Sequence, residues 1–473
     1  MDGDLTLLSA TEIRRLVGAG EVSPVEVVEA SLERIERYNG TLNAVVTLNA
    51  AALDEARALE ASAKRGGADL PPLFGLPVGI KDVTPVKGVR TTFGSPLYAD
   101  HVPEEDALVV QRFRQAGAVI VGKTNTPEFA AGGNTFNEVF GRTRNPWNPD
   151  LSAGGSTGGG AVGLATGMIA VAEGTDLGGS LRLPAAFCGI VGIRPSPGRV
   201  PTWPSDYLWD DLQVTGPMAR TAEDLAMVLE AISGPSPLCP VHQAMPGGPG
   251  SIMAAMAGAR VEGLRVAYCP DPAGIGMDDG VRAVCDATVQ ALREAGATVD
   301  EIEMDLSEGW KAFLHLRGYW MVAHHHKHLD RLDGLGANVA GNIRAGLKVT
   351  TEEHAWAEQV RGRMWHWFRD FFQRYDHLLT PTVAVPPFPV EQNYPETVDG
   401  RPMKTYIDWL APTFVLSLTS LPIASVPCGL DERALPVGMQ IVGRPFGEGA
   451  ALGLARIVQE LRPMPRPPLE GLG

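Results

Sequence analysis

A lysine closing an apolar run and two serines set among glycines carry the chemistry of this chain. The run is Gly75-Leu76-Pro77-Val78-Gly79-Ile80-Lys81-Asp82. The serines lie in Gly154-Gly155-Ser156-Thr157-Gly158-Gly159-Gly160 and in Gly174-Thr175-Asp176-Leu177-Gly178-Gly179-Ser180-Leu181-Arg182. Glycines flanking a serine let backbone and substrate approach closely. A serine hydroxyl becomes a useful nucleophile only beside a base. Neutral lysine is such a base once its pKa falls from about 10.4 to about 7, at a cost of about 4.6 kcal/mol. Burial supplies shifts of that size, and the apolar run before Lys81 predicts burial. The plain alternative for Lys81 is a structural ion pair with Asp82 or another acid. The chemistry predicted is that of a serine hydrolase using lysine as base. Successive N–H groups through Leu177, Gly178, Gly179 and Ser180 would then face the charge that develops on an attacked carbonyl oxygen.

Several competing readings fall away. The Gly154–Gly160 loop lacks the Gly-Lys-Ser/Thr ending of a phosphate-binding loop. The net charge of −15 argues against nucleic acid and against an anionic membrane surface. His324-His325-His326 with His328 has the residue types of a metal site, but consecutive helical residues point in different directions. That cluster is read as a solvated or pocket-lining helix face, and no metal or cofactor is expected. Cys188 is read as packing. Five cysteines with no CxxC pair fit free thiols in a reducing compartment. The acidic start Met1-Asp2-Gly3-Asp4 has no signal-peptide pattern, and no apolar stretch is long enough to span a membrane. A cytoplasmic location is expected.

The elements that must position these residues read as mixed α/β. Ser9 with Glu12 predicts a capping box, with Leu8 and Ile13 as its hydrophobic staple. Ser23-Pro24-Val25-Glu26 predicts a second capping box with proline at the first helical position. Both helices belong to an N-terminal helical cover over residues 1–70. Leu73–Ile80 and Ala118–Gly122 read as buried strands around a helix over Asp106–Gln115. A short helix is predicted from Pro184 to Cys188, just beyond Ser180. Residues 233–250 read as loops. A strand over Leu264–Tyr268 and a helix over Gly280–Ala295 follow. Residues 305–370 read as mainly helical and rich in Trp and His, and strand-like runs return at Leu378–Pro381 and Leu421–Pro427.

The motifs together resemble the amidase signature family of serine hydrolases. The match includes Gly122-Lys123-Thr124-Asn125, Arg144-Asn145-Pro146-Trp147, Gly216-Pro217-Met218-Ala219-Arg220, Leu379-Thr380-Pro381-Thr382 and Leu435-Pro436-Val437-Gly438-Met439-Gln440, besides the three segments above. The resemblance implies one domain over 1–473, with a signature core over 71–232 and a variable pocket region over 305–370. It implies a mixed, largely parallel twisted sheet covered by helices on both faces. Ser180 matches the nucleophile and Lys81 the general base. Ser156 matches a bridging serine preceded by a cis peptide. The backbone amides of Leu177, Gly178, Gly179 and Ser180 match the oxyanion hole. Thr157 stands where many members carry a second serine.

Carbon–nitrogen bond hydrolysis is therefore expected, on small and fairly apolar amides, anilides, carbamates or esters, by a monomer or homodimer. Ala130, Ala131, Gly132 and Gly133 are expected to touch substrate. Leu177, Leu181, Leu183 and Phe187, with Trp310, Trp320, Trp356, Trp365 and Trp367, offer apolar and aromatic walls to the pocket, some of them as core: Trp356, Trp365 and Trp367 read more readily as core than as ligand contacts. Two other readings remain: the A subunit of glutamyl-tRNA amidotransferase, and an inactive ligand-binding member. Against the first, Leu177 and Leu183 replace the Thr and Gln of that subunit's Asp-Thr-Gly-Gly-Ser-Ile-Arg-Gln. Against the second stands the full Lys81, Ser156, Ser180 set.

Overall fold

The architecture comes from a computed structural model that describes residues 4–65 and 70–473. The first three residues of the acidic start and residues 66–69 of the N-terminal cover lie outside the described residues. The chain is a single-domain α/β structure built on one eleven-stranded sheet. From edge to edge its strands are Val45–Leu48, Val119–Thr124, Pro77–Lys81, Val171–Asp176, Val214–Ala219, Val191–Arg194, Ile423–Leu430, Pro436–Val442, His377–Pro381, Arg265–Tyr268 and Thr298–Glu301. The sheet is mixed. Parallel pairings lie in two flanking groups, around Pro77–Lys81 and around Arg265–Tyr268, with antiparallel pairings between them.

Helices cover both faces, and the strands show why. Side chains alternate across a strand, so a strand buried on both faces reads as continuous apolar sequence. Val119 and Val121 pack into one core, with Val28, Ile35 and Leu164 from the helices Pro24–Leu42 and Gly158–Ala165. Ile120 between them packs into the other, which contains Leu225 and Leu229 of helix Ala222–Ile232 and Leu454 of helix Glu448–Leu461.

Local signals set most boundaries. Ser23 accepts from the Glu26 N–H at 3.1 Å, and the Glu26 carboxylate accepts from the Ser23 N–H at 2.8 Å, completing the predicted capping box. The Ser9 box is only half formed. Ser9 caps Glu12 N–H, but the Glu12 carboxylate takes a bidentate contact from Arg15 one turn on. The N-terminal segment is also more than a cover, because Val45–Leu48 forms the sheet edge beside Val119–Thr124.

The apolar run before Lys81 divides. Leu73–Leu76 is a buried turn, closed by Leu76 N–H to Leu73 O at 3.0 Å, and the strand starts at Pro77. The helix after Ser180 starts at Arg182, two residues before the expected Pro184. Pro184 is tolerated in the first turn, where its missing N–H costs nothing. Residues 305–370 form helices Ser307–His324, Ala337–Gly346 and Thr351–Phe371, with a 3-10 segment at His326–Gly334. Among the described residues no helix is long and apolar enough to cross a membrane.

Candidate active site

Lys81 ends a strand whose neighbour, Val171–Asp176, runs parallel to it. The carboxyl ends of adjacent parallel strands therefore bring Lys81, Thr175 and Asp176 to one edge of the sheet, where open α/β sheets place their sites. The Lys81 ammonium is fully buried. Its Nζ lies 2.7 Å from Ser156 Oγ and 3.0 Å from both Thr157 Oγ1 and Thr175 Oγ1. No carboxylate among the described residues lies within ion-pair distance of it, which removes the reading of Lys81 as a structural pair with Asp82. Asp82 instead accepts from Thr92. Burial pulls the Lys81 pKa down to about 7, against the opposing charges of Glu173 and Asp176.

A second group holds the lysine in place. Glu173, also fully buried, accepts the Lys81 backbone N–H at 3.1 Å and the Thr84 hydroxyl at 2.9 Å. Burial raises its carboxyl pKa, opposed by the Thr84 hydrogen bond and by Lys123 and Lys81. Sequence reading missed Glu173; its signal is an acid inside the otherwise uncharged strand run Val171–Thr175.

The peptide between Gly155 and Ser156 is cis, as the resemblance implies. A Cβ on Gly155 would sit 2.8 Å from the Gly132 carbonyl oxygen, so only glycine lets the two loops meet there. The residue after Ser156 meets Ser180 through the backbone, Thr157 N–H donating to Ser180 O at 3.3 Å. Ser180 is half-exposed, and its hydroxyl makes no hydrogen bond to the described residues.

Asp176 shapes the turn before Ser180. Its carboxylate accepts from Gly179 N–H at 2.8 Å and Leu181 N–H at 3.1 Å, and from Arg182 through two bonds of 3.0 Å. Burial opposes this charge, but Arg182 and Arg194 overcome that and hold the Asp176 pKa down to about 2. The four amides expected to form the oxyanion hole are consequently not equivalent. The Gly179 N–H is spent on Asp176, whereas those of Leu177, Gly178 and Ser180 make no hydrogen bond to the described residues. Gly179 has φ +125°, and a Cβ there would lie 2.4 Å from Thr413 Oγ1.

A cavity of about 50 Å³ opens over Ser180. Two stretches of chain line it: Leu177–Ser180, Gly155, Leu183, Ala130 and Gly132 from the first, and Phe313, Arg317, Tyr406, Ile407, Leu410 and Phe414 from the second, with Phe313 and Phe414 packed against Gly178. Of the expected loop, Ala130 and Gly132 line it. Ala131 is buried, and Gly133 is packed so closely against Trp409 that a Cβ would fall 2.7 Å from its ring.

The expected aromatic wall is largely different. Leu181 and Phe187 are core, Trp310 lies behind Phe414, and Trp365 and Trp367 are 39% and 40% exposed on the surface. Trp356 is half-buried against Lys311. Trp320 lines a second chamber of about 200 Å³ that meets the first at Ala130. His324, His325 and His328 line that chamber too. His324 faces Asp210, while His325 and His328 face each other and His328 also meets the Tyr98 hydroxyl. Among the described residues no group of three metal-ligating side chains converges. Cys188 is buried, and burial pushes its thiol pKa up.

The chain as a whole is similar to known proteins. A family model described as Amidase matches residues 26–452. The chain is 34% identical over 488 residues to the A subunit of a glutamyl-tRNA(Gln) amidotransferase from Symbiobacterium thermophilum, covering 96% of this chain and 97% of that one. It is 34% identical over 470 residues to an acylamidase of Rhodococcus erythropolis, covering 97% and 96%. The solved structure of a bacterial aryl acylamidase of the amidase signature family superposes with a TM-score of 0.87 at 27% identity, covering 97% and 96%.

Proposed function

The chain belongs to the amidase family and is a hydrolase of carbon–nitrogen bonds in amides; from that premise we propose that it cleaves small, fairly apolar amides through an acyl-enzyme on Ser180. Anilides head the substrate class, with carbamates and esters as further candidates. The observation that carries this reading is Lys81: a buried amine with a pKa near neutrality, 2.7 Å from Ser156 and free of any ion pair with the described residues.

In the proposed reaction neutral Lys81 takes the Ser156 proton while Ser156 takes the Ser180 proton, and Ser180 Oγ attacks the carbonyl carbon. The oxyanion is met by the N–H groups of Leu177, Gly178 and Ser180, with Gly179 spent on shaping the turn. The relay then runs backwards, protonating the leaving nitrogen as the C–N bond breaks. Water enters, loses a proton along the same path and releases the acid, restoring Ser180. Ala130 and Gly132 border the bound substrate. The enzyme acts as a monomer or homodimer in the cytoplasm.

The similarity to the amidotransferase keeps a second reading in play, in which glutamine is the substrate. Against it, no acidic residue among the cavity-lining residues meets the ammonium of an amino acid, and unpaired charge in a pocket is costly. Two measurements decide. Ser180→Ala should lower kcat on an acyl anilide by about 10⁴-fold or more and abolish labelling by a sulfonyl fluoride. The wild type should show a higher kcat/KM for the anilide than for glutamine. Retained turnover in Ser180→Ala removes the mechanism; preference for glutamine moves the chain to the second reading.

A further inference from the structure

Four arginines are buried among the described residues, and three of them have acids. Arg182 and Arg194 hold Asp176, and Arg199 holds Glu448. The fourth, Arg317, is 8% exposed and lines the same cavity as Ser180. No carboxylate among the described residues is within ion-pair distance of it. Its guanidinium donates to Asn342 Oδ1 and to the Tyr406 hydroxyl oxygen, both neutral. A buried charge left without a counterion is expensive, so a ligand that supplies one is favoured.

Tyr406 strengthens the case. Its hydroxyl oxygen accepts from Arg317 and from Asn342 Nδ2, the latter at 2.7 Å. A phenol oxygen has two lone pairs and one proton. Both lone pairs are taken, so the proton is left to donate, and Tyr406 also lines the cavity. Arg317 and Tyr406 thus present donors without an acceptor to a chamber whose apolar lining includes Phe313, Ile407, Leu410 and Phe414. Arginine's planar fork matches a carboxylate in particular.

We propose that the substrate carries one carboxylate, held by Arg317 and Tyr406 while its amide carbonyl lies over Ser180. This narrows the reading above, on which it rests, from apolar amides to amides with an apolar body and one anionic end. The half-anilide of a short dicarboxylic acid is the simplest member. A zwitterion is not favoured, since the cavity supplies a cation for the carboxylate but no anion for an ammonium.

The test compares adipic acid mono-anilide with neutral hexananilide. Wild-type enzyme should prefer the anionic anilide by at least about tenfold in kcat/KM, as one charge-assisted hydrogen bond supplies. Arg317→Met should lower that ratio by about 10- to 100-fold, chiefly through KM. Tyr406→Phe should lower it by about 3- to 10-fold, and it keeps the test open if Arg317→Met does not fold. Equal wild-type kcat/KM for the two anilides, or an unchanged ratio in both variants, overturns the proposal. Binding of the two anilides to Ser180→Ala protein, measured by calorimetry, reads the same preference without turnover. Failure of the serine mechanism would appear as turnover in Ser180→Ala; failure of the carboxylate site would appear as equal binding.

Discussion

The two walls of the cavity over Ser180 are built differently. The wall carrying the nucleophile comes from short, glycine-rich segments, 130–132, 154–160 and 174–189, with 75–82 supplying the base behind it. Around Lys81, three hydroxyls meet the amine and an acid meets its backbone N–H. The facing wall is assembled from residues up to about a hundred positions apart, between Phe313 and Phe414. It is aromatic and aliphatic, with one unpaired guanidinium. The first wall is built to do one reaction; the second decides what is offered to it. Substitutions on the first should therefore reduce turnover of every substrate, whereas those on the second should change the ratio between substrates.

The largest effect that separates the walls is expected at Lys81. Lys81→Ala should lower kcat for an anilide by about 10³-fold. A matched ester should lose less, because its leaving group needs less protonation. Acyl-chain selectivity should stay as in the wild type. Rates on a small panel of paired anilides and esters measure all three. Equal losses on amide and ester would remove the relay role, and altered acyl selectivity would break the division between the walls.

The same division explains what sequence showed and what it did not. Lys81, Ser156 and Ser180 are legible because each sits in a motif whose chemistry depends on near neighbours. The helices of 305–370 are legible as helices, from their periodicity, but not as a wall. Which face of helix Ser307–His324 meets the cavity depends on how it packs against Ala337–Gly346, Thr351–Phe371 and Ala411–Ser417. Tryptophan is a poor guide there: Trp365 and Trp367 face outward while Phe313 and Arg317 line the cavity. Composition gives an aromatic segment; only tertiary contact says which rings line the cavity. Gly179 teaches a related lesson. Its place among the glycines marks it as an oxyanion donor, yet its N–H goes to Asp176, a partner set by the turn's three-dimensional closure.

A smaller effect is expected where the walls are joined. Thr413 lies on helix Ala411–Ser417, next to Phe414 of the facing wall. Its hydroxyl proton is shared between the Gly178 carbonyl at 2.6 Å and the Leu410 carbonyl at 2.8 Å, and its own carbonyl accepts from Arg182 at 3.0 Å. Thr413→Val keeps the shape and loses the hydroxyl bond. The Gly178 carbonyl would be freed while the Leu177–Ser180 amides lose part of their support, so kcat should fall by about 3- to 10-fold, with folding retained. Kinetics on one neutral and one anionic anilide check it. A fall in kcat on both places Thr413 with the nucleophile's wall; a change in their ratio alone places it with the selectivity wall.

The subtlest expectation concerns Glu173, which lies behind the base and does not line the cavity. Lys81 acts as base only when neutral, so wild-type kcat/KM should decline as pH falls through about 7. Burial lowers that pKa, and the Glu173 charge opposes the fall by stabilising the ammonium. Glu173→Gln can keep the geometry: the amide oxygen accepts the Lys81 N–H and the amide nitrogen donates to Thr84 Oγ1. What is lost is the negative charge. With it gone, the neutral amine is favoured further, and the acid limb of the profile should move to lower pH while kcat on its plateau changes by less than about threefold. A pH–rate profile from 5 to about 9 on a single anilide measures the shift. A limb that moves to higher pH would mean that Glu173 acts on a group other than Lys81. A plateau loss comparable to that of Lys81→Ala would mean that the carboxylate itself handles a proton, and the catalytic wall would then extend one layer deeper than the hydroxyls around the lysine.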